Sequence, residues 1–415
     1  MKVLFAPIGD PSNYDKVEYK VNDKGPYNTY ASFYAISQAL NIDKIIVYAG
    51  LSLCDPNCND YNCCKNSVTQ KVTKKLGNEF DLLIAPNIYG TRFIQKDRKN
   101  TLFFNFIYFN SLKILEESKP DEIYIDITHG INYMPLLATD AIKLAAYTYV
   151  VENNKNGINL TIYDSEPVTR GNQGPYTIDD IYSEKITVRQ ALSSILLPFL
   201  SSESKNVITN KVFKVIYNSL KASSENANTS MCNADFIYHV VNALSSGIFL
   251  YLISKKSEIN NCLNVIENNL RKLDFSNFTL QINFENGNVI YSENIPIEVS
   301  YLHSLLKVSS HIAQGSNKLS EIRKIAENYS TSDSVKYVVL NEISKIEEAK
   351  SKIPGSQTLY ATILSEKPPK LCSADKRNLI AHGGFERNVT FLWKCGDDIC
   401  VSYGDCIENV EKHLG

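Results

Sequence analysis

Apolar runs of strand length alternate with helix-forming stretches from Lys2 to Asp164, and this alternation constrains the fold more than any other feature of the chain. Lys2–Ile8 reads as a strand ending in the turn cluster Gly9-Asp10-Pro11-Ser12. Tyr27–Leu40 is amphipathic and reads as a helix, and Lys44–Gly50 as a second strand. After a cysteine-bearing excursion, Asp81–Asn87 is the third. Thr101–Glu117 is helical. Glu122–Thr128 is the fourth strand and runs through His129-Gly130-Ile131-Asn132-Tyr133-Met134-Pro135 into a helix reaching about Val150; Gly157–Asp164 is the fifth. Such alternation predicts βαβ units around a largely parallel, Rossmann-like sheet.

From about Val188 the character changes. Val188–Leu200, Val207–Leu220, Ala234–Ile253 and Glu258–Leu273 show helical spacing with Ser/Asn-rich connections, of which Ser223–Ser230 is the most linker-like. Phe278–Phe284 and Val289–Tyr291 flank Asn286-Gly287 and read as a β-hairpin. Helices resume over Glu298–Ile312, Leu319–Tyr329 and Ser334–Lys350. A second hairpin joins Val389–Trp393 to Ile399–Tyr403, and a terminal helix follows. The expected fold class is thus α/β followed by mainly α. The expected domains are an α/β domain over residues 1–185, a helical connector over 186–230, and a helical domain with β-hairpins over 231–415. The connector is not notably basic, so a spacer is favoured over a DNA-binding helix-turn-helix.

The 415 residues are enough for two or three domains with real cores, and 44% hydrophobic with 21% charged residues is an ordinary globular balance. A net charge of −2 argues against a broad basic face that coats nucleic acid, so any RNA contact is expected to be local. The densest apolar run, Phe236–Ile253, is broken by His239, Asn242, Ser245 and Ser246 and reads as a buried helix. Asp10 follows Val3–Ile8 too soon for an export signal. A cytoplasmic protein without a membrane span is expected. Cys54, Cys58, Cys63 and Cys64 crowd one loop, and Cys395, Cys400 and Cys406 another. The first group lacks paired Cys-x2-Cys knuckles, so zinc is disfavoured; disulfides are favoured if the source is a hyperthermophile.

In open α/β sheets ligands bind outside the carboxyl ends of the strands. Gly9-Asp10-Pro11-Ser12 and Thr128-His129-Gly130-Ile131-Asn132 fall there. The second loop offers a hydroxyl, an imidazole, an amide and backbone N–H groups at a helix start, which suits an anion; the plain alternative is that His129 caps its helix and Gly130 serves the turn. There is no Gly-x-Gly-x-x-Gly and no Walker lysine motif, which argues against a dinucleotide or ATP. Tyr14, Tyr89 and Tyr133 are available to stack on bases, although most tyrosines in such a chain simply pack.

Near the other end stands Leu371-Cys372-Ser373-Ala374-Asp375-Lys376-Arg377-Asn378-Leu379-Ile380-Ala381-His382-Gly383-Gly384. A short helix is expected, with Ser373 as N-cap, Asp375 in its first turn and the glycines as a left-handed stop. Asn378 and His382 then share a face, while Arg377 and His382 lie about 140° and roughly 7.5 Å apart, so only a long, flexible Arg reaches the same spot. A fixed cation beside a titratable imidazole suits phosphate chemistry. Alone, the motif reads equally well as a capped surface helix. His239, His303, His311 and His413 read as packed or solvated, and no Asp/Glu cluster suggests a metal.

These residues carry a resemblance. Arg377-Asn378-x-x-Ala381-His382 followed by Gly resembles the active motif of HEPN-domain ribonucleases. Asp126–Pro135 resembles the strand-four motif of CARF domains, and Ala6–Pro11 their first-strand loop. The order CARF then HEPN is similar, over essentially the whole chain, to the Csx/Csm family of CRISPR-associated accessory ribonucleases, closest to its Csx branch. The resemblance implies a homodimer or higher homo-oligomer that cuts single-stranded RNA without metal or cofactor, the ribose 2′-hydroxyl attacking its own phosphate. Arg377, Asn378 and His382 would be catalytic. It further implies activation by a cyclic oligoadenylate, in the Csx branch mostly cyclic tetra-adenylate, lined by Gly9, Asp10, Ser12, Thr128, His129, Gly130 and Asn132. A two-fold ring suits a two-fold dimer, which presents the same loops twice. Two rivals stand beside this reading: a ring nuclease degrading its own ligand with help from His129 or Ser12, and a non-catalytic, ligand-responsive regulator that only grips RNA.

Overall fold

The structure is a computed structural model describing residues 1–95, 99–155, 157–169, 171–200, 232–364 and 370–415. It forms two compact units. The first comprises Met1–Val150, Lys155–Thr187 and Asn268–Ser300; the second comprises Val151–Asn154, Val188–Glu267 and Tyr301–Gly415.

The first unit is built on strands β1 (Lys2–Ile8), β2 (Val17–Val21), β3 (Lys24–Thr29), β4 (Lys44–Gly50), β5 (Asp81–Ala85), β6 (Phe93–Gln95), β7 (Glu122–Asp126), β8 (Ile158–Ser165) and β9 (Tyr176–Ile186). Eight of them make one sheet in the order β3-β2-β9-β8-β7-β1-β4-β5. From β8 to β5 every pairing is parallel. β1 and β4 are buried at every position after the first, as expected where both faces of a parallel strand are covered. Helices α1 (Ser32–Leu40), α2 (Tyr61–Leu76), α3 (Thr101–Ser118) and α4 (Met134–Glu152) complete the βαβ units. Because the chain passes from β1 to β4 and β5 on one side and then to β7 and β8 on the other, the strand order reverses between β1 and β7, which opens a crevice at the carboxyl ends of these parallel strands.

Two elements depart from the sequence reading. Residues 27–29 are not helical: they end β3, which pairs antiparallel with β2 around Asn22 at φ 50°, and α1 begins only at Ser32. The alternation Val17, Tyr19, Val21, each buried, is the strand signal there. β9, antiparallel to β8, is exposed over most of its middle, and its polar composition hid it.

The second unit contains helices α5 (Val188–Leu196), α6 (Ala234–Ser246), α7 (Phe249–Ser254), α8 (Lys256–Arg271, which begins here), α9 (Glu298–Ile312, which ends here), α10 (Leu319–Tyr329), α11 (Asp333–Glu348), α12 (Tyr360–Ile363), α13 (Lys376–Ala381) and α14 (Ile407–Leu414). Gly247 at φ 72° breaks the expected single helix over 234–253 into α6 and α7. The expected helix Val207–Leu220 and the Ser223–Ser230 linker lie outside the described residues. Strands β10 (Ile282–Glu285) and β11 (Asn288–Tyr291) form the first expected hairpin, but it belongs to the first unit rather than to the helical run: β11 pairs in parallel with β6. There the Tyr291 hydroxyl accepts from the Asn87 amide at 3.1 Å and donates to its carbonyl at 3.0 Å. A pairing some two hundred residues apart leaves no local trace in the sequence. The second hairpin joins β12 (Thr358–Leu359), β13 (Phe391–Cys395) and β14 (Asp398–Ser402) in one antiparallel sheet. Among the described residues no helix is long and apolar enough to cross a membrane.

Candidate functional site

The crevice of the first unit holds a cavity of about 850 Å³ lined by residues of the 12–15 and 128–129 loops, Tyr19, Tyr30 and the 164–168 segment. Of the residues singled out from sequence, Ser12, Thr128 and His129 line it; Gly9, Asp10, Gly130 and Asn132 stand behind, shaping the two loops. The Gly9 amide donates to the His129 carbonyl at 2.6 Å and to the Tyr14 hydroxyl at 2.9 Å, and that hydroxyl donates to the His129 carbonyl at 3.1 Å. A Cβ at Gly9 would sit 2.9 Å from Ile131, and one at Gly130 only 2.3 Å from the Pro135 ring, so both glycines serve close approach. Asn132 holds φ 50° in the turn before α4. Asp10 caps the short turn Pro11–Asn13, accepting from the Ser12 amide and hydroxyl, and forms a 2.7 Å ion pair with Lys71 of α2. Burial opposes ionisation of Asp10, but these contacts outweigh it and hold its carboxyl below the usual range.

His129 does not cap its helix, which starts five residues later at Met134. Its Nε2 accepts from the Ser32 amide at 3.1 Å, and Tyr14 stacks on its ring at 4.4 Å. Burial lowers its pKa to about 4, against the opposing pull of Asp164, so the imidazole is neutral near pH 7. Asp126, fully buried, accepts from the Ser32 hydroxyl and the Thr128 amide; desolvation still raises its pKa. Among the described residues, those lining the cavity include the carboxylates Asp15, Asp164 and Glu166 and no Lys or Arg. The described donors available to an anion there are hydroxyls and backbone N–H groups. Tyr133 does not line the cavity: its hydroxyl donates to the Ile88 carbonyl and its ring meets Phe103 edge-on. Tyr89 is exposed. Tyr19 and Tyr30 were not singled out because the β2–β3 hairpin that places them was not read.

In the second unit, α13 carries the Arg377–His382 motif. Asp375, not Ser373, is the N-cap: its carboxylate accepts from the Asn378 amide at 2.8 Å and from the Asn378 side chain at 2.8 Å. Ser373 is taken up in a preceding turn, its amide donating to the Lys370 carbonyl. Gly383 at φ 52° and Gly384 at φ 85° end the helix, with the Gly384 amide returning to the Leu379 carbonyl. Leu379 is the one buried residue of α13. Arg377 and Asn378 are exposed, and among the described residues Arg377 has no ion-pair partner. His382 lies at the C-cap with its side chain 43% exposed, and its Nδ1 stands 3.3 Å from the Glu342 carboxylate of α11. Glu342 is 4% exposed, and its other oxygen takes Lys345 at 2.6 Å. A second buried carboxyl, Glu386, accepts from the Asn388 amide and side chain; burial raises its pKa while His382 pulls it down. Gly383 allows this approach, since a Cβ there would meet Val339 of α11 at 2.9 Å. Glu342 was not foreseen. Its signal was its phase: Val339, Glu342, Ile343 and Ile346 are the buried stripe of α11, with a carboxylate at an apolar position.

The cysteines pair as Cys54–Cys64, Cys58–Cys63, Cys372–Cys406 and Cys395–Cys400, leaving Cys232 and Cys262 free and buried. Cys372 lies four residues before α13, and Cys406 directly precedes α14.

Comparison with known proteins agrees with both halves. The family model for the CRISPR system endoribonuclease Csx1, CARF domain, matches residues 3–167, and that for its HEPN domain matches residues 332–405. The first span holds nearly all of the cavity; the second holds Glu342, Arg377, Asn378, His382 and Glu386. A sensor-type α/β domain followed by a helical nuclease-type domain is the class these matches define. The chain belongs to the CARF–HEPN Csx/Csm family of CRISPR-associated endoribonucleases. The CRISPR system endoribonuclease Csx1 of Methanocaldococcus jannaschii is 25% identical over 420 aligned positions, covering 94% of this chain and 86% of that protein. Enterococcus italicus Csm6, solved bound to cyclic hexa-2'-fluoro-hexa-dAMP, aligns with 100% of this chain and 93% of its own at 12% identity and a TM-score of 0.26, too low to carry an argument.

Proposed function

We propose that this protein is a cytoplasmic, metal-independent endoribonuclease that cuts single-stranded RNA at Arg377, Asn378 and His382 when a cyclic oligoadenylate, most simply cyclic tetra-adenylate, occupies the crevice of its α/β unit. The observation that carries the reading is the setting of His382. Its Nδ1 stands 3.3 Å from a buried carboxylate, its side chain is 43% exposed, and the Arg377 guanidinium, without an ion-pair partner among the described residues, stands on the same short helix. In this reading the 2′-hydroxyl attacks the adjacent phosphorus as His382 receives its proton, and the P–O5′ bond breaks as the imidazolium so formed returns a proton to the leaving oxygen. Arg377 stabilises charge on the phosphorane-like transition state, and Asn378 orients the phosphate. The products carry 2′,3′-cyclic phosphate and 5′-hydroxyl ends, and no step calls on a metal ion. In a homodimer or higher homo-oligomer, ligand binding would favour the arrangement in which two such sets face each other. Ile380, 39% exposed between Arg377 and His382, is apolar surface such pairing would cover.

On the ligand side, Ser12, Thr128 and His129 offer hydroxyl, amide and ring contacts, and Tyr14, Tyr19 and Tyr30 offer stacking faces. His129 is a poor base at neutral pH and already accepts a hydrogen bond, which favours a holding role over ligand cleavage. The test is cleavage of labelled single-stranded RNA in EDTA, with and without cyclic tetra-adenylate, for the wild type and His382→Ala. Ligand-stimulated, chelator-resistant cutting that the substitution abolishes is expected. Cutting that needs a metal or survives the substitution would overturn the mechanism, and consumption of the ligand without RNA cutting would move the activity to the α/β unit.

A further inference from the structure

We infer that Glu342 is the positioning residue of the His382 site: it fixes the imidazole in the tautomer protonated on Nδ1 and makes Nε2 the nitrogen that exchanges a proton with RNA. The inference rests on the ribonuclease reading above but is set by geometry of its own. His382 Nδ1 lies 3.3 Å from Glu342 Oε2, and the carboxylate is 4% exposed, so it cannot turn out to water without unpacking α11. An ionised carboxylate only accepts, so the ring nitrogen facing it must carry the proton. The remaining nitrogen, on a side chain that is 43% exposed, then has a free lone pair, which is the form a general base needs.

The carboxylate is itself fixed. Lys345, one turn further along α11, donates to Glu342 Oε1 at 2.6 Å, which leaves Oε2 for the histidine. Gly383 lets the turn after α13 approach α11 closely enough for the contact, because a Cβ at that position would meet Val339 Cγ2 at 2.9 Å and its Cα at 3.2 Å. Glu386 is a further buried carboxyl that His382 influences, but its oxygens are engaged by the Asn388 amide and side chain. Glu342 is therefore the orienting group.

Lys345 makes the inference sharp. In Glu342→Gln the amide oxygen is the group that can accept from Lys345, so the amide nitrogen is turned toward His382. An NH2 group donates, which requires Nδ1 to be unprotonated and moves the proton to Nε2, the wrong nitrogen for a base. The isosteric substitution is thus expected to harm cleavage at least as much as Glu342→Ala. Removing the lysine in Glu342→Gln/Lys345→Met frees the amide to flip and restores part of the rate.

The experiment combines two readouts on the full-length protein. Single-turnover RNA cleavage is expected to fall 10- to 100-fold in Glu342→Ala, by at least as much in Glu342→Gln, and to recover several-fold in Glu342→Gln/Lys345→Met, with RNA affinity unchanged throughout. Long-range 15N–1H spectra of histidine-labelled protein, with the His382 signals identified by their loss in His382→Ala, should show Nδ1–H in the wild type and Nε2–H in Glu342→Gln. Wild-type rates in Glu342→Gln, or an Nε2–H tautomer in the wild type, would overturn the inference. If no variant or wild type cuts RNA but the tautomer follows Glu342 as described, the positioning stands and the ribonuclease reading fails. If Glu342→Gln does not fold, the wild-type spectrum still decides the tautomer.

Discussion

His129 accepts the Ser32 amide proton on Nε2 while Tyr14 covers its ring, so protonating it would break a hydrogen bond and bury a charge. Its pKa of about 4 lies below the ordinary 6.5, and between those values the unfolded chain takes up a proton that the folded chain refuses. The contribution of His129 is therefore fully present above pH 6.5 and is lost as pH falls toward 4, by at most about 3 kcal/mol. Asp126 and Asp164, both held above the carboxylate range mainly by burial, have the opposite sign. Comparing wild type with His129→Gln, whose amide oxygen can keep the Ser32 bond, cancels such common terms. Calorimetric unfolding from pH 7 to pH 4.5 should show a smaller loss of stability in the variant; parallel curves would mean that His129 is not held neutral. At this scale the sequence showed residue types more readily than their duties. Ser12, Thr128 and His129, which line the cavity, were visible as candidates, but nothing local distinguished them from Gly9, Asp10, Gly130 and Asn132, which shape the two loops. Glu342 was invisible as a site residue because its partner lies forty positions away.

α9 and α10 have the bounds their sequences imply: α10 buries one apolar stripe of Leu319, Ile322, Ile325, Ala326 and Tyr329, while α9 is long, regular and buried on most of its faces. The β2–β3 hairpin, β9 and the attachment of β10–β11 to β6 were not legible, since their partners are distant and their own patterns short or polar. The short helix α13 has a different difficulty. Six residues with one buried side chain are too few to hold a helix by packing, so its ends must do it. Asp375 caps one end, the two glycines close the other, and the Cys372–Cys406 disulfide ties its approach to the start of α14. In the chain-entropy account a bridge of this span contributes up to about 4 kcal/mol. Cys372→Ser is accordingly expected to lower the unfolding midpoint of the oxidised protein and to slow RNA cutting. A reducing agent, which opens all four bridges, should lower the wild-type midpoint at least as far by differential scanning fluorimetry. Identical midpoints for oxidised wild type and variant would show that the bridge does not anchor the helix.

For the molecule as a whole, the proposed switch carries a thermodynamic obligation. A ligand shifts an equilibrium only by its differential affinity for the two states, and coupling between two binding sites is reciprocal. If cyclic tetra-adenylate favours the state that grips RNA at Arg377, RNA must tighten cyclic tetra-adenylate binding by the same factor; a tenfold effect corresponds to about 1.4 kcal/mol on either side. The His382→Ala protein with RNA carrying 2′-deoxy linkages allows both to be measured without turnover. RNA affinity is read by anisotropy at saturating and zero ligand, and ligand affinity by calorimetry with and without RNA. Equal factors above one are expected. Factors of one on both sides, with ligand still stimulating wild-type cleavage, would place the switch in how the two Arg377–His382 sets align rather than in RNA binding, because reciprocity does not bind kcat. Unequal factors would mean that the ligand acts on the association of subunits, and both affinities would then vary with protein concentration.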